Sequence, residues 1–213
     1  MIIYFWKDAS AALIGLPRVL RGKIDTSGAF MALCLIIATI PVVIFGVILK
    51  LTGLDDMMRN ITVIGWTMLI FGLVLYGADQ PDKPQREAHQ WTLRHALALG
   101  LWQAISLIPG TSRSGITITA ARRLGYKRED SAKLSMLMSI PTIIASGVLL
   151  GAEVAMDADA QAAKDGAIAA ILAFFAALVA LSLMMRLLRS VSFTPYVIYR
   201  VILGIVLLGI AYT

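Results

Sequence analysis

Charge is scarce in this sequence. Only 15% of its 213 residues are Asp, Glu, Lys or Arg, 59% are apolar, and the mean hydropathy is +0.81. Soluble domains run at about 25% charged and about 45–50% apolar. A soluble fold of this size leaves too much surface wet to hide such an excess, so a soluble enzyme and a disordered tail are excluded. Cysteine is nearly absent. Cys34 stands alone inside an apolar run, which excludes a disulfide framework and a thiolate metal centre and leaves a small helix-packing residue. The P-loop, HExxH, GxSxG and Rossmann fingerprints are all missing. So is a signal peptide: Met1 is followed at once by Ile2, Ile3, Tyr4, Phe5 and Trp6, and only then by Lys7. That order predicts the last turns of a membrane helix. What remains is one integral membrane domain, residues 1–213, of all-α polytopic class.

Apolar runs at 29–51, 61–78, 134–152, 166–185 and 196–212 are each long enough to cross ~30 Å of hydrocarbon, which takes about 17–25 helical residues. A sixth run, 95–108, is too short to cross at ~1.5 Å per residue and stops at Pro109-Gly110. A second short helical piece, ITITAARRLG, follows. Residues 95–123 therefore read as helix, break, helix. An Ile-Pro echo, Ile40-Pro41 and Ile140-Pro141, hints at an internal repeat.

The formal net charge is +6, from 19 basic and 13 acidic residues. No aromatic platform of the kind that holds single-stranded nucleic acid accompanies it, so nucleic acid is not the expected partner; cytoplasmic loops of membrane proteins carry such an excess. With 95–123 entering and leaving on one face, segments 7–28, 79–94, 122–133 and 186–195 share that face with fourteen cations, against three in 50–60 and 153–165. If 95–123 crossed instead, the counts would be eight and nine. The positive-inside rule selects a re-entrant hairpin opening to the cytoplasm, and it predicts the C-terminus outside.

The hairpin turns at PGTSRSG, residues 109–115. Non-helical backbone at membrane depth needs protein or a wet cavity around it. Pro109 and Gly110 end the incoming helix, and Gly115 permits close backbone approach or a positive φ. Ser112 or Ser114 can cap the outgoing helix, whose first N–H groups and dipole favour an anion. Thr111 and Thr117 extend the row of hydroxyls, and Arg113 adds a planar fork of donors suited to phosphate. A lone cation at this depth is costly, and none of the five long runs holds an Asp or Glu to pair with it. Its partner is expected to be a ligand, or a carboxylate from elsewhere. Arg200, one turn into the last helix near Tyr196 and Tyr199, reads either as a snorkelling cation in an aromatic belt or as a second phosphate contact. His89 reads as a solvated loop residue and His95 as an interfacial one.

PGTSRSGITI at 109–118 resembles the second signature motif of the bacterial undecaprenyl-diphosphate phosphatases, the bacitracin-resistance proteins, and VSFTPYVIYR at 191–200 resembles that family's C-terminal stretch. The resemblance implies a bacterial inner-membrane enzyme that hydrolyses the C55 diphosphate carrier lipid to the monophosphate and inorganic phosphate. It would thereby recycle the cell-wall carrier and confer bacitracin resistance. It implies inverted repeats with two re-entrant hairpins, a possible homodimer, and Mg²⁺ or Ca²⁺ as cofactor. Ser112, Arg113 and Thr117 would line the active site with Ser114, while Gly110, Thr111, Gly115 and Arg200 would bind substrate. A first family motif, two glutamates four residues apart followed by Pro-x-Ser-Ser-Thr-Gly-His, has no counterpart here. The expectation is a chain that begins where the family's first crossing ends, with that motif's carboxylates, as metal ligands or general base, and its histidine not among its residues. Two other readings stand beside the phosphatase: a transporter or flippase for an anionic lipid or solute, since broken helices also hold anions in transporters, and a non-catalytic remnant.

Overall fold

A computed structural model describes residues 1–80, 85–156, 160–188 and 190–213, without the side chains at 55, 146 and 148–164. Lys83 and Arg189 of the charge comparison lie outside the described residues, as do the side chains of Lys164 and of the far part of run 134–152. Among the described residues there is no strand, only helices in the order α1 (Trp6–Leu20), α2 (Ser27–Thr52), α3 (Leu54–Met58), α4 (Ile61–Ala78), α5 (Leu93–Ile105), α6 (Arg113–Arg123), α7 (Arg128–Met156), α8 (Ala160–Leu187) and α9 (Thr194–Tyr212), with a 3₁₀ turn at Ala88–Gln90. Each of the five long apolar runs sits inside one long helix, while the short run 95–108 outlasts α5 by three residues. Four helical stretches, Ser27–Thr52, Ile61–Ala78, Asp165–Leu187 and Thr194–Tyr212, are long and apolar enough to cross a membrane. The chain is an all-α polytopic membrane protein.

Helix starts follow short polar side chains that accept from the first turn. Thr26 accepts from the Ala29 N–H at 3.2 Å, Asn60 from Val63 at 2.9 Å and Thr92 from His95 at 3.2 Å. Segment 7–28, read from sequence as a cationic loop, differs: most of it is α1. Ala9, Ala12 and Gly15 form its buried stripe, and this small-residue face lies against the start of α2. Both echo prolines fall in mid-helix, Pro41 in α2 and Pro141 in α7.

Ion pairs and backbone bonds gather the four cation-rich segments at one end of the molecule. Lys133 meets Asp8 at 2.9 Å, Arg128 meets Asp79 at 2.8 Å, and the Phe193 N–H donates to Asp79 Oδ2 at 2.9 Å. The far end of α4 carries Trp66, whose indole N–H reaches Tyr212 in the last turn of α9 at 3.4 Å. The C-terminus thus lies at the end opposite Asp79.

Segment 95–123 turns back on itself. The Arg86 N–H donates to the Gly125 carbonyl at 2.8 Å, and the Lys127 N–H to the Arg86 carbonyl at 2.9 Å. His95 Nδ1 stands 2.7 Å from the Tyr126 hydroxyl. The entry to α5 and the exit from α6 are therefore side by side. α5 is held tightly on α2: a Cβ at Gly100 would stand 2.5 Å from the Ala38 carbonyl oxygen, so the two backbones touch where only glycine fits. Residues 115–122 of α6 are all buried.

Candidate anion site at the hairpin tip

The tip is built on glycine and serine backbone. Gly110 has φ +85, and a Cβ there would collide with Thr67 Oγ1 and lie 2.7 Å from the Ile64 carbonyl oxygen. Thr67 Oγ1 also donates to the Pro109 carbonyl at 2.6 Å. These contacts dock the tip on α4 at a level roughly 18 Å from Asp79, at ~1.5 Å rise per residue.

Of the two readings of Gly115, close approach is the one the structure shows; the positive φ falls on Ser112, with φ 68 and ψ 112. A non-glycine residue there is strained, by about 1–3 kcal/mol, and such strain gathers at functional sites. Ser112 Oγ lies 3.2 Å from the Gly115 N–H, which it accepts; Thr26, Asn60 and Thr92 make the same kind of cap from extended backbone, so the cap itself does not demand the turn. Gly115 is needed for space, since a Cβ would lie 3.3 Å from Ser112 Oγ and 3.7 Å from the Tyr196 hydroxyl.

Three of the residues singled out from the sequence converge at the start of α6. Ser112, Arg113 and Ser114 are half-buried there. The Arg113 guanidinium has no hydrogen bond or ion pair to any described residue. The first N–H groups of α6 add donors and the positive end of its dipole. Hydroxyls, N–H groups and a planar cation are thus sequence neighbours at the start of α6, with no carboxylate among the described residues bonded to Ser112, Arg113 or Ser114. Such an arrangement grips a phosphate and stabilises charge on its oxygens.

The other named residues stand behind the site. Thr117 is buried; it donates to a carbonyl of the first turn, with Arg113 O at 2.9 Å and Ser114 O at 3.2 Å, and shares a 2.6 Å bond with Ser135 of α7. It pins α6 to α7. Thr111 is buried with an unpartnered Oγ1, and Gly110 is packed under α4. Arg200 neither snorkels nor faces open volume. It is 4% exposed, and its Nη2 donates to the carbonyls of Gly110 at 2.8 Å and Thr111 at 3.0 Å, while Nη1 donates to the Tyr196 hydroxyl at 3.3 Å. It clamps the tip because the broken backbone leaves carbonyls that need donors. Tyr196, read as a belt residue, joins the site through its hydroxyl, 2.9 Å from Ser112 Oγ.

Neither histidine reaches the tip. His89 pairs with Glu87 at 3.3 Å on the surface, and His95 is held by Tyr126 at the hairpin base. A divalent cation wants anionic oxygens. Among the described residues no group of three or more His, Cys, Asp or Glu is placed to hold one, and Asp79 is bound to Arg122 and Arg128. The residues at this tip do not fit a metal centre.

The family described as bacitracin resistance protein BacA matches residues 1–206. The chain is 67% identical over 213 residues to the undecaprenyl-diphosphatase of Ruegeria pomeroyi, covering 100% of this chain and 80% of that protein. It is 68% identical over 213 residues to that of Roseobacter denitrificans, again 100% and 80%. It is 40% identical over 210 residues to undecaprenyl-diphosphatase 1 of Rhodospirillum rubrum, 99% of this chain and 74% of that protein.

Proposed function

We propose, for a chain that belongs to the bacitracin resistance protein BacA family, that the α6 tip is where undecaprenyl diphosphate is hydrolysed. The enzyme is an undecaprenyl-diphosphatase. Water is added across the phosphoanhydride; the bond between the terminal phosphorus and the bridging oxygen breaks, giving undecaprenyl phosphate and inorganic phosphate. This recycles the carrier lipid and confers bacitracin resistance. The observation that carries the assignment is Arg113, a half-buried cation with no anionic partner among the described residues. Its fork neutralises non-bridging oxygens of the terminal phosphoryl group as charge shifts in the transition state. Ser112, Ser114 and the first N–H groups of α6 donate to the same oxygens. Thr117 and Arg200 hold the tip rather than touch substrate. Gly110, Thr111 and Gly115 shape it.

The setting is the bacterial inner membrane, with the cation-rich end in the cytoplasm. The isoprenoid chain then lies in the bilayer while the headgroup reaches the tip. The divalent cation that the resemblance implies would need carboxylates that the described residues do not bring to this tip. Homodimer formation belongs to the same proposal; α8 is open to a second copy, as residues 165–177 are exposed all round.

The test is phosphate release from undecaprenyl diphosphate by the purified protein in detergent. Arg113→Ala is expected to lower it by about 10²–10³-fold, the range for removing one preorganised donor. Turnover within a few-fold of the parent would refute the role of Arg113.

A further inference from the structure

Tyr196 stands between a buried cation and the serine that caps α6. An arginine N–H can only donate, so the 3.3 Å bond from Arg200 Nη1 makes the Tyr196 oxygen an acceptor. The phenolic proton can then go to Ser112 Oγ, 2.9 Å away. Ser112 Oγ also accepts from the Gly115 N–H at 3.2 Å. A serine hydroxyl has two acceptor lone pairs and one proton. With the phenolic proton directed there, both lone pairs are occupied and the proton is what Ser112 can still offer. Its remaining neighbour is Ser114 Oγ at 3.5 Å, at the outer limit of a hydrogen bond. Arg200 cannot easily let go, because its other arm holds the Gly110 and Thr111 carbonyls of the same tip.

We infer that Tyr196 is a positioning residue for the phosphatase reaction: held by Arg200, its hydroxyl fixes Ser112 as a hydrogen-bond donor to a phosphate oxygen and not as a nucleophile. A chain of bonds beginning at a cation polarises each following hydroxyl in the direction that strengthens this donation. Attack by Ser112 on phosphorus would need a lone pair freed from Tyr196 or Gly115 and a base for its proton. No histidine or carboxylate among the described residues is bonded to Ser112. The inference rests on the assignment of the tip as the phosphate site.

The test compares Tyr196→Phe, which keeps the ring and removes the hydroxyl, with Ser112→Gly, chosen because glycine accepts the positive φ at that position. Phosphate release and affinity for a methylene-bridged diphosphate analogue are each expected to fall about 10-fold in Tyr196→Phe, with an unchanged melting temperature. In the Ser112→Gly background the same substitution is expected to lower analogue affinity no further, whereas a packing defect would act in either background. Parental turnover and affinity in Tyr196→Phe would overturn the inference. So would an undiminished loss in the Ser112→Gly background, or a phosphoserine at Ser112 trapped by acid quench. Absence of phosphate release from the unsubstituted protein would instead overturn the phosphatase assignment, and analogue binding would still decide the role of Tyr196.

Discussion

Arg113 opens α6 and Arg122 stands one residue from its end, yet the two are treated in opposite ways. Arg122 has 7% of its side chain exposed, with its Nε 3.1 Å from Asp79 Oδ1 and its Nη1 donating to the Tyr126 carbonyl at 2.7 Å. Arg128 shares the same carboxylate, which also accepts the Phe193 N–H, so one acid joins the ends of α4, α6, α7 and α9. Arg113 has none of this. The base of the hairpin is a closed electrostatic cluster, and the tip is an open one. A buried cation that already has its anion holds the fold; one kept without an anion is available to a ligand.

Breaking the base is expected to cost the most stability. Asp79→Ala leaves Arg122 and Arg128 facing each other without a counter-charge and strips a partner from the Phe193 N–H. A loss of about 3–5 kcal/mol is expected, as for a buried pair deprived of one member. It would be read as a large drop in melting temperature in detergent. A variant melting like the parent would show that the cluster does not hold the helix ends.

An intermediate effect is expected at the backbone of the tip. Gly110→Ala puts a side chain on a φ of +85 and drives a Cβ into Thr67 and Ile64. Strain and overpacking together are expected to cost about 2–3 kcal/mol. Phosphate release should fall with stability, because the tip must lift off α4. Full activity with parental stability would mean that the docking of the tip on α4 is not needed.

Much of this contrast is legible in the sequence at its local level. The five apolar runs mark five long helices, because length and hydropathy alone set them. Pro109-Gly110 marks the break, because both residues end a helix by their own backbone chemistry. The pairing of distant residues is not legible. Asp79 reads as the first residue of a loop, and only folding brings it to Arg122, 43 positions away. Gly110 takes a positive φ, as a glycine can, but a second one falls on Ser112, which nothing in the sequence marks. Thr117 and Arg200 lie at the tip, and their contacts with Ser135 and with the Gly110 and Thr111 carbonyls are not legible in the sequence. Tyr196 and α1 escape for one reason: an amphipathic tyrosine and an Ala-rich stripe look the same whether they meet lipid, water or another helix.

The smallest effect on stability, and the most direct test, is expected at Arg113. Melting temperatures of the parent and Arg113→Ala would be compared with and without a methylene-bridged undecaprenyl diphosphate analogue. The parent should be stabilised by the analogue. Arg113→Ala should melt at or slightly above the parent's ligand-free temperature, because no internal pair is lost, and the analogue should no longer raise it. A ligand-free collapse like that expected of Asp79→Ala, or an undiminished rise with analogue, would contradict the claim that this cation is held open for a phosphate.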